Sequence, residues 1–320
     1  MIVTLTPNPS VDRAVVIDVL HRGEVHRATS SRVDPGGKGV NVSRALAAQG
    51  AATVAVLPAG GPEGHLMEEL LDAAGVARRS VPVAGNLRMN ISVLEPDGTT
   101  TKLNEPGPRL SAAEVDALLT ATLAAACEQG DGASWVVGCG SLPPGAPDGL
   151  YADLVDRLRS RDDRGRVAID SSGAPMPLAV AARPHLVKPN HEELAELVDH
   201  DLPTLGHVRD AARELVAGGI DVVAVSLGGD GALLVTADEC AHARATITAP
   251  LSTVGAGDCM LAGLLHGLSS GLPADAALAA AVTWGAAAVT LPGSRVPTPD
   301  DLHGIPVEVT RTPDSSLVLR

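Results

Sequence analysis

Ser252-Thr253-Val254-Gly255-Ala256-Gly257-Asp258, running directly into Cys259-Met260-Leu261-Ala262-Gly263-Leu264-Leu265, is the stretch on which the fold turns. It reads as a glycine turn opening into an apolar helix, with one carboxylate at the opening. The first backbone N–H groups of a helix have no internal partner, and the helix dipole adds partial positive charge there. Such an end cradles an anion such as a phosphate. Asp258 then has two readings. It caps the helix, or it is a base that takes a proton from a hydroxyl attacking a phosphate held in the cradle.

The surroundings of this stretch narrow the class of protein. The chain has 320 residues, with 45% hydrophobic and 1% aromatic residues and no Phe. Its core must be built from Ala, Val, Leu and Ile, which suits close packing of helices on a sheet. A formal net charge of −14 argues against nucleic acid as a partner. A local basic pocket for a small phosphorylated ligand remains compatible with it. Met1 leads into the strand-like Ile2-Val3-Thr4-Leu5 with no signal-peptide pattern. The longest apolar helical stretch, around residues 276–289, is too short to span a bilayer. A soluble, cytoplasmic protein is expected. Cys127, Cys139, Cys240 and Cys259 are scattered and bring no His cluster, so neither a zinc site nor a disulfide frame is expected.

Strand-like and helix-like runs alternate. Residues 53–57, 135–137, 167–169, 186–187 and 222–226 read as strands; 63–74, 149–160, 192–198 and 208–217 read as helices. This alternation predicts an α/β fold with a mostly parallel sheet covered on both faces, whose ligands gather at the carboxyl ends of the strands. Two stretches break the pattern. Residues 12–34 carry short extended segments, and residues 88–103 read as a hairpin turning at Asp97-Gly98. Together they predict a small sheet standing off the main one as a lid. Its exposed apolar face would be covered by a second lid in a homodimer.

Further motifs carry chemistry. Pro35-Gly36-Gly37-Lys38-Gly39 precedes an evident helix beginning Val40-Asn41. The glycines let backbone approach a ligand, Lys38 can meet a phosphate as a point charge, and Asn41 can bond sugar hydroxyls. It is not a Walker loop, because Gly39 follows the lysine. Ser226-Leu227-Gly228-Gly229-Asp230-Gly231 lies between two strands, where small residues would let a nucleotide lie against backbone or simply make a β-turn. Asn190-x-x-Glu193 has the spacing of a capping box. Lys188 just before it can touch phosphate oxygens. Arg88 and Lys102 lie on the predicted lid, either solvated or aimed at an anionic substrate.

With these residues in place, the chain resembles the ribokinase/PfkB carbohydrate kinases. The likeness runs from Thr6-Pro7-Asn8-Pro9-Ser10-Val11-Asp12 to Gly293-Ser294-Arg295. It passes through Gly140-Ser141-Leu142-Pro143-Pro144-Gly145 and Val187-Lys188-Pro189-Asn190. Five motifs in order are far more specific than any one alone. The resemblance implies a ribokinase-like three-layer αβα sandwich over residues 1–320 as a single domain, with a small β-sheet lid formed by about 12–34 and 88–106. Within the family the 1-phosphofructokinases are most similar, through Gly36-Gly37-Lys38-Gly39 and Leu103-Asn104-Glu105-Pro106-Gly107-Pro108. The tagatose-6-phosphate kinases are nearly as similar, since both acceptors present a phosphate at one end of a furanose and a hydroxymethyl at the other.

The resemblance further implies that Asp258 deprotonates the C6 hydroxyl of fructose 1-phosphate and that the amides of Gly255, Ala256 and Gly257 hold charge on the transferred phosphoryl. Asp12, Gly37 and Asn41 would hold sugar hydroxyls. Lys38, Arg88, Lys102 and Ser141 would serve the sugar phosphate. Lys188, Ser226, Leu227, Gly228, Gly229, Asp230, Gly231 and Gly257 would line the ATP site, with Glu193 as an outer-shell organiser of Mg2+. The helix bearing Trp284-Gly285 would flank the adenine. Glu24 stands where some 6-phosphofructokinases carry a basic residue, so that phosphate contact does not transfer. Two readings from other classes are weaker. A silent sugar-phosphate-binding regulator would have lost Asp258 or a cradle glycine, and a dinucleotide dehydrogenase needs a third glycine earlier than Gly263.

Overall fold

A computed structural model describes residues 1–128, 134–160 and 165–319. In chain order the elements are β1 (Ile2–Leu5), β2 (Ser10–Val16), β3 (Ser30–Gly36), α1 (Lys38–Ala48), β4 (Thr53–Ala59), α2 (Gly61–Ala73) and β5 (Arg78–Pro82). There follow β6 (Arg88–Leu94), β7 (Thr100–Asn104), α3 (Ala112–Cys127), β8 (Trp135–Cys139), α4 (Leu150–Arg159), β9 (Arg166–Asp170), α5 (Pro175–Ala181) and β10 (Leu186–Val187). The last third holds α6 (His191–Val198), α7 (Leu205–Ala217), β11 (Val222–Ser226), β12 (Ala232–Val235), β13 (Cys240–Ala245), α8 (Ala256–Ser269), α9 (Ala274–Val289) and β14 (Val307–Thr310).

The main sheet runs β14-β13-β12-β11-β10-β9-β8-β1-β4-β5. It is parallel from β11 to β5 and antiparallel from β11 to β14. The alternating expectation holds for the parallel part. The antiparallel edge ends in β14, drawn from the tail after Pro306, for which no element was expected.

Period-two alternation sorts each strand between the two helical layers. Val3, Val136, Val167, Ile169, Val223 and Leu233 point to the side packed by α3 to α7. Val137, Ala168, Ala224, Ala232, Ala241 and Ala243 point to the other side, packed by α1, α8 and α9. The second face is made largely of alanine, so the helices lie close. The same economy joins α8 to α9. A Cβ at Gly263 would sit 2.9 Å from the Ala280 carbonyl, and one at Gly267 would sit 3.0 Å from Ala277 Cα. A core of small aliphatic residues, expected from the lack of Phe, is what is found, with Trp135 and Tyr151 as its largest fully buried side chains.

The lid is a separate sheet ordered β3-β2-β6-β7. β2 pairs antiparallel with β3 and parallel with β6, and β6 pairs antiparallel with β7. Register puts Asp12 opposite Asn90 and Asp34, and Lys102 opposite Ser92. One face is therefore polar, with Asp12, Asp34, Asn90, Ser92 and Lys102. The other carries Val15, Ile91, Val93 and Leu103. Val11 roots that apolar face among Val40, Leu57, Met67 and Leu71.

Candidate active site

The chain runs from β1 to β4 and β5 on one side, then returns to β8 on the other, so the strand order reverses beside β1. Loops splay apart at the carboxyl ends of strands at such a point and leave a crevice. Asn8, Gly140-Ser141, Asp170, Lys188 and Ser226 all stand at these ends, as the sequence predicts for ligand-facing residues.

Gly255 caps α8 with φ 77°, a left-handed conformation that glycine adopts without steric cost. The N–H of Ala256 donates to the Thr253 carbonyl at 3.3 Å, whereas the amides of Gly255, Gly257 and Asp258 meet no backbone acceptor among the described residues. The sequence reading counted Ala256 in the cradle; its amide is turned into the preceding loop, and that of Asp258 is open instead. Polar side chains stand close before the glycines. A Cβ at Gly257 would meet Lys188 Nζ at 3.6 Å, and one at Gly255 would meet Asn41 Nδ2 at 3.9 Å.

The Asp258 carboxylate is buried beneath these amides and accepts from Asn41 Nδ2 at 2.9 Å through Oδ2. Burial, then the negative charge of Asp170, pushes its carboxyl up to about 6. Asn41, Lys38 and Lys188 oppose that rise.

Asp170 is the residue that sequence reasoning missed. It is fully buried at the end of β9 and pairs with Lys38 Nζ at 2.6 Å and Lys188 Nζ at 3.1 Å. Burial alone would raise its carboxyl, but the two ammonium groups outweigh burial and hold it below the usual range. Lys38 is likewise pulled down by burial but held protonated by Asp170 and Glu193. Lys38, itself part-exposed, is thus paired with a buried carboxylate and is not the lone point charge expected from its glycine loop. A carboxylate closing an apolar strand at its carboxyl end is the signal that could have found Asp170.

Glu193 forms the capping box expected from its spacing. Its Oε2 accepts from the Asn190 N–H at 2.8 Å while Asn190 Oδ1 accepts from the Glu193 N–H at 2.7 Å, a complete capping box. Its Oε1 faces Lys38 Nζ at 3.8 Å. Among the described residues no group of three or more His, Cys, Asp or Glu side chains could hold a metal.

On the lid side, Asp12 Oδ1 accepts from Ser10 Oγ at 2.6 Å and Asn90 Nδ2 at 3.1 Å. Burial raises its carboxyl against those hydrogen bonds. Gly36 gives it room, since a Cβ there would lie 2.1 Å from its Oδ2. Gly37 has φ 111° and packs against Thr6 and Pro9. Arg88 donates to the carbonyls of Glu105 at 3.1 Å and Asn8 at 3.0 Å, leaving its buried Nε unpartnered. Lys102 is exposed on the polar face of the lid. Ser141 receives Asn8 Nδ2 at 3.4 Å. In the glycine strip the side chains of Leu227 and Asp230 are buried, and a Cβ at Gly231 would strike the Ala243 carbonyl. Of its three glycines, Gly228 and Gly229 open onto free space. The breadth expected of that strip therefore narrows to two glycines and Ser226.

The chain is similar to known proteins over nearly its whole length. The family model for pfkB family carbohydrate kinases matches residues 6–301. A 1-phosphofructokinase of Rhodobacter capsulatus is 37% identical over 310 residues, covering 97% of this chain and 96% of that protein. One from Haloferax volcanii is 38% identical over 313 residues, covering 97% and 98%. The structure of phosphofructokinase-2 from Escherichia coli in complex with substrates and products superposes with a TM-score of 0.89 at 34% identity, covering 95% of this chain and 97% of that one.

Proposed function

This chain belongs to the pfkB family of carbohydrate kinases, and from that premise we propose that it phosphorylates D-fructose 1-phosphate at the C6 hydroxyl with ATP, giving fructose 1,6-bisphosphate. The observation that carries the reading is Asp258, a buried carboxylate of raised pKa beside the unpartnered amides of Gly255 and Gly257. A base poised near 6 is ionised at neutral pH and still basic enough to take a hydroxyl proton in the transition state.

In the reaction, Asp258 takes the proton from the C6 hydroxyl. The alkoxide oxygen forms a bond to the γ-phosphorus as the bond to the β,γ-bridging oxygen breaks, and ADP leaves with that electron pair. Amides at the start of α8 receive the charge on the moving phosphoryl group. Asn41 fixes the base, and Asp12 with the Gly36-Gly37 backbone receives sugar hydroxyls. Lys102 and Ser141, with the Arg88 guanidinium, meet the sugar phosphate. Lys38 and Lys188, already steered by Asp170, turn their remaining N–H bonds toward ATP phosphates, and Gly228 and Gly229 receive the nucleotide. Mg2+ bound to the ATP phosphates would supply charge neutralisation there, and Glu193, whose Oε1 faces Lys38 Nζ at 3.8 Å, would accept hydrogen bonds from waters of that ion. The polar face of the lid closes over the sugar and excludes water, which would otherwise accept the phosphoryl group. The lid pairs with a second lid in a cytoplasmic homodimer. No helix among the described residues is long and apolar enough to cross a membrane.

The resemblance to tagatose-6-phosphate kinases and the likeness to phosphofructokinase-2 keep two other acceptors in view. A coupled ADP-release assay with fructose 1-phosphate, fructose 6-phosphate, tagatose 6-phosphate and unphosphorylated fructose separates them. Fructose 1-phosphate is expected to give the highest kcat/KM; a higher value for any of the others replaces it as the acceptor.

A further inference from the structure

Arg44 is buried in α1, three residues beyond Asn41, and the mechanism above makes no use of it. Its Nη1 donates to three oxygens from three parts of the chain: the Pro35 carbonyl at the root of lid strand β3 at 3.0 Å, Asn41 Oδ1 at 3.0 Å and the Ser294 carbonyl at 3.2 Å. Its Nη2 lies 4.0 Å from Asp34 on the same lid strand.

A guanidinium has only donors. Whatever faces Arg44 must accept, so the Asn41 amide must turn its oxygen to Arg44 and its NH2 group to Asp258. The hydrogen bond from Asn41 to Asp258 thereby becomes the only orientation that satisfies both neighbours. We propose that Arg44 is a positioning residue: it fixes the Asn41 amide so that Asp258 is always offered a donor, and it ties that hold to the lid root through Pro35 and Asp34. The inference rests on Asp258 being the base.

Without Arg44 the Asn41 amide can rotate and offer its oxygen to the carboxylate, which weakens the bond favouring the charged form and moves Asp258 to a higher pKa. The other charges facing Asp258 stay in place: Asp170 from β9, Lys38 from α1 and Lys188 after β10. α9 packs along α8 but its one acid, Asp275, stands near the opposite end from Gly285, which is the α9 residue beside Ala256.

The test is a double-mutant cycle on the full chain with Arg44→Met and Asn41→Ala, reading kcat, acceptor KM, the pH profile of kcat/KM and the melting temperature. In the wild-type background Arg44→Met should lower kcat by about tenfold or more and move the acid limb upward by about half a pH unit. In the Asn41→Ala background the same change should cost less than about threefold and move the limb no further. Equal losses in both backgrounds, or an unchanged kcat and limb, overturn the proposal. Loss of the positive charge alone would act in either background, so it cannot imitate the expected result. If Arg44→Met does not fold, the cycle is run with Arg44→Gln, whose neutral amide keeps a polar group at the site but no longer presents donors alone to Asn41. There too, a loss confined to the background that retains Asn41 supports the proposal, while equal losses or no loss overturn it. A wild-type chain inactive on all four acceptors would sink the kinase reading itself, a result distinct from either outcome of the cycle.

Discussion

Asp258 is held in a state that costs stability. Its carboxyl is raised from 3.8 to about 6 in the folded chain. The folded form therefore binds the proton more readily than the unfolded one, and stability falls as pH rises between those values, with the whole penalty present above the upper one. By linkage that penalty is about 2–3 kcal/mol. Asp258→Asn should relieve it. The variant is expected to melt above wild type at pH 8, with the gap closing as pH falls toward 4, and calorimetry across that range checks it. The same variant should lose several orders of magnitude in kcat with ATP binding nearly intact, because only help to the transition state is removed. Near-wild-type turnover would remove Asp258 from the role of base. In the wild type, kcat/KM should fall with decreasing pH through about 6, as the base becomes protonated.

Asp258 could be read in the sequence because its partners are local: a glycine turn, free amides and a helix all lie within a few residues. Asp170 showed only as a carboxylate closing an apolar strand, and Arg44 not at all. Asp170 meets Lys38 across 132 positions and Arg44 meets Ser294 across 250. Nothing in the local pattern around either residue announces such a partner. Lys38 was seen, but the carboxylate that claims its charge was not, so its role was drawn too simply.

At the scale of elements, the site depends on how closely α8 lies against α9. Gly263 and Gly267 leave no room for a side chain, and Gly285 on α9 packs against the first turn of α8. Gly263→Val should wedge the helices apart and cost about 1–3 kcal/mol. Because α8 carries the amides and Asp258 on its first turn, kcat should fall with it. A thermal melt and steady-state kinetics on one preparation test both, and a folded variant with wild-type kcat would show that the first turn is held independently. The elements themselves were legible where the period of the apolar residues was clean: β4, β8, β9, β11 and the lid hairpin β6–β7 all form where expected. β14 was not, because a short edge strand half open to solvent carries no alternation strong enough to stand out.

For the whole molecule, the proposed dimer depends on the apolar side of the lid. Val15, Ile91 and Val93 are only partly covered and Leu103 is 58% exposed. A second lid would cover this surface. Sedimentation at assay concentration should give a species of twice the 32.3 kDa chain mass, and Leu103→Glu should shift it to the monomer. A wild-type monomer would refute lid pairing.

The pairing of β2 with β6 has its own consequence. The two strands lie side by side and parallel, yet between them in sequence run β3, α1, β4, α2 and β5. The flap is thus stitched from two separate excursions of the chain and is no detachable cassette. Cutting out either one would leave the other with a raw strand edge beside the sugar, ready to recruit a stranger. Gain or loss of this cover in related chains therefore demands two coordinated changes on opposite sides of α2, whereas its outer turn between β2 and β3 is free to lengthen or shorten alone.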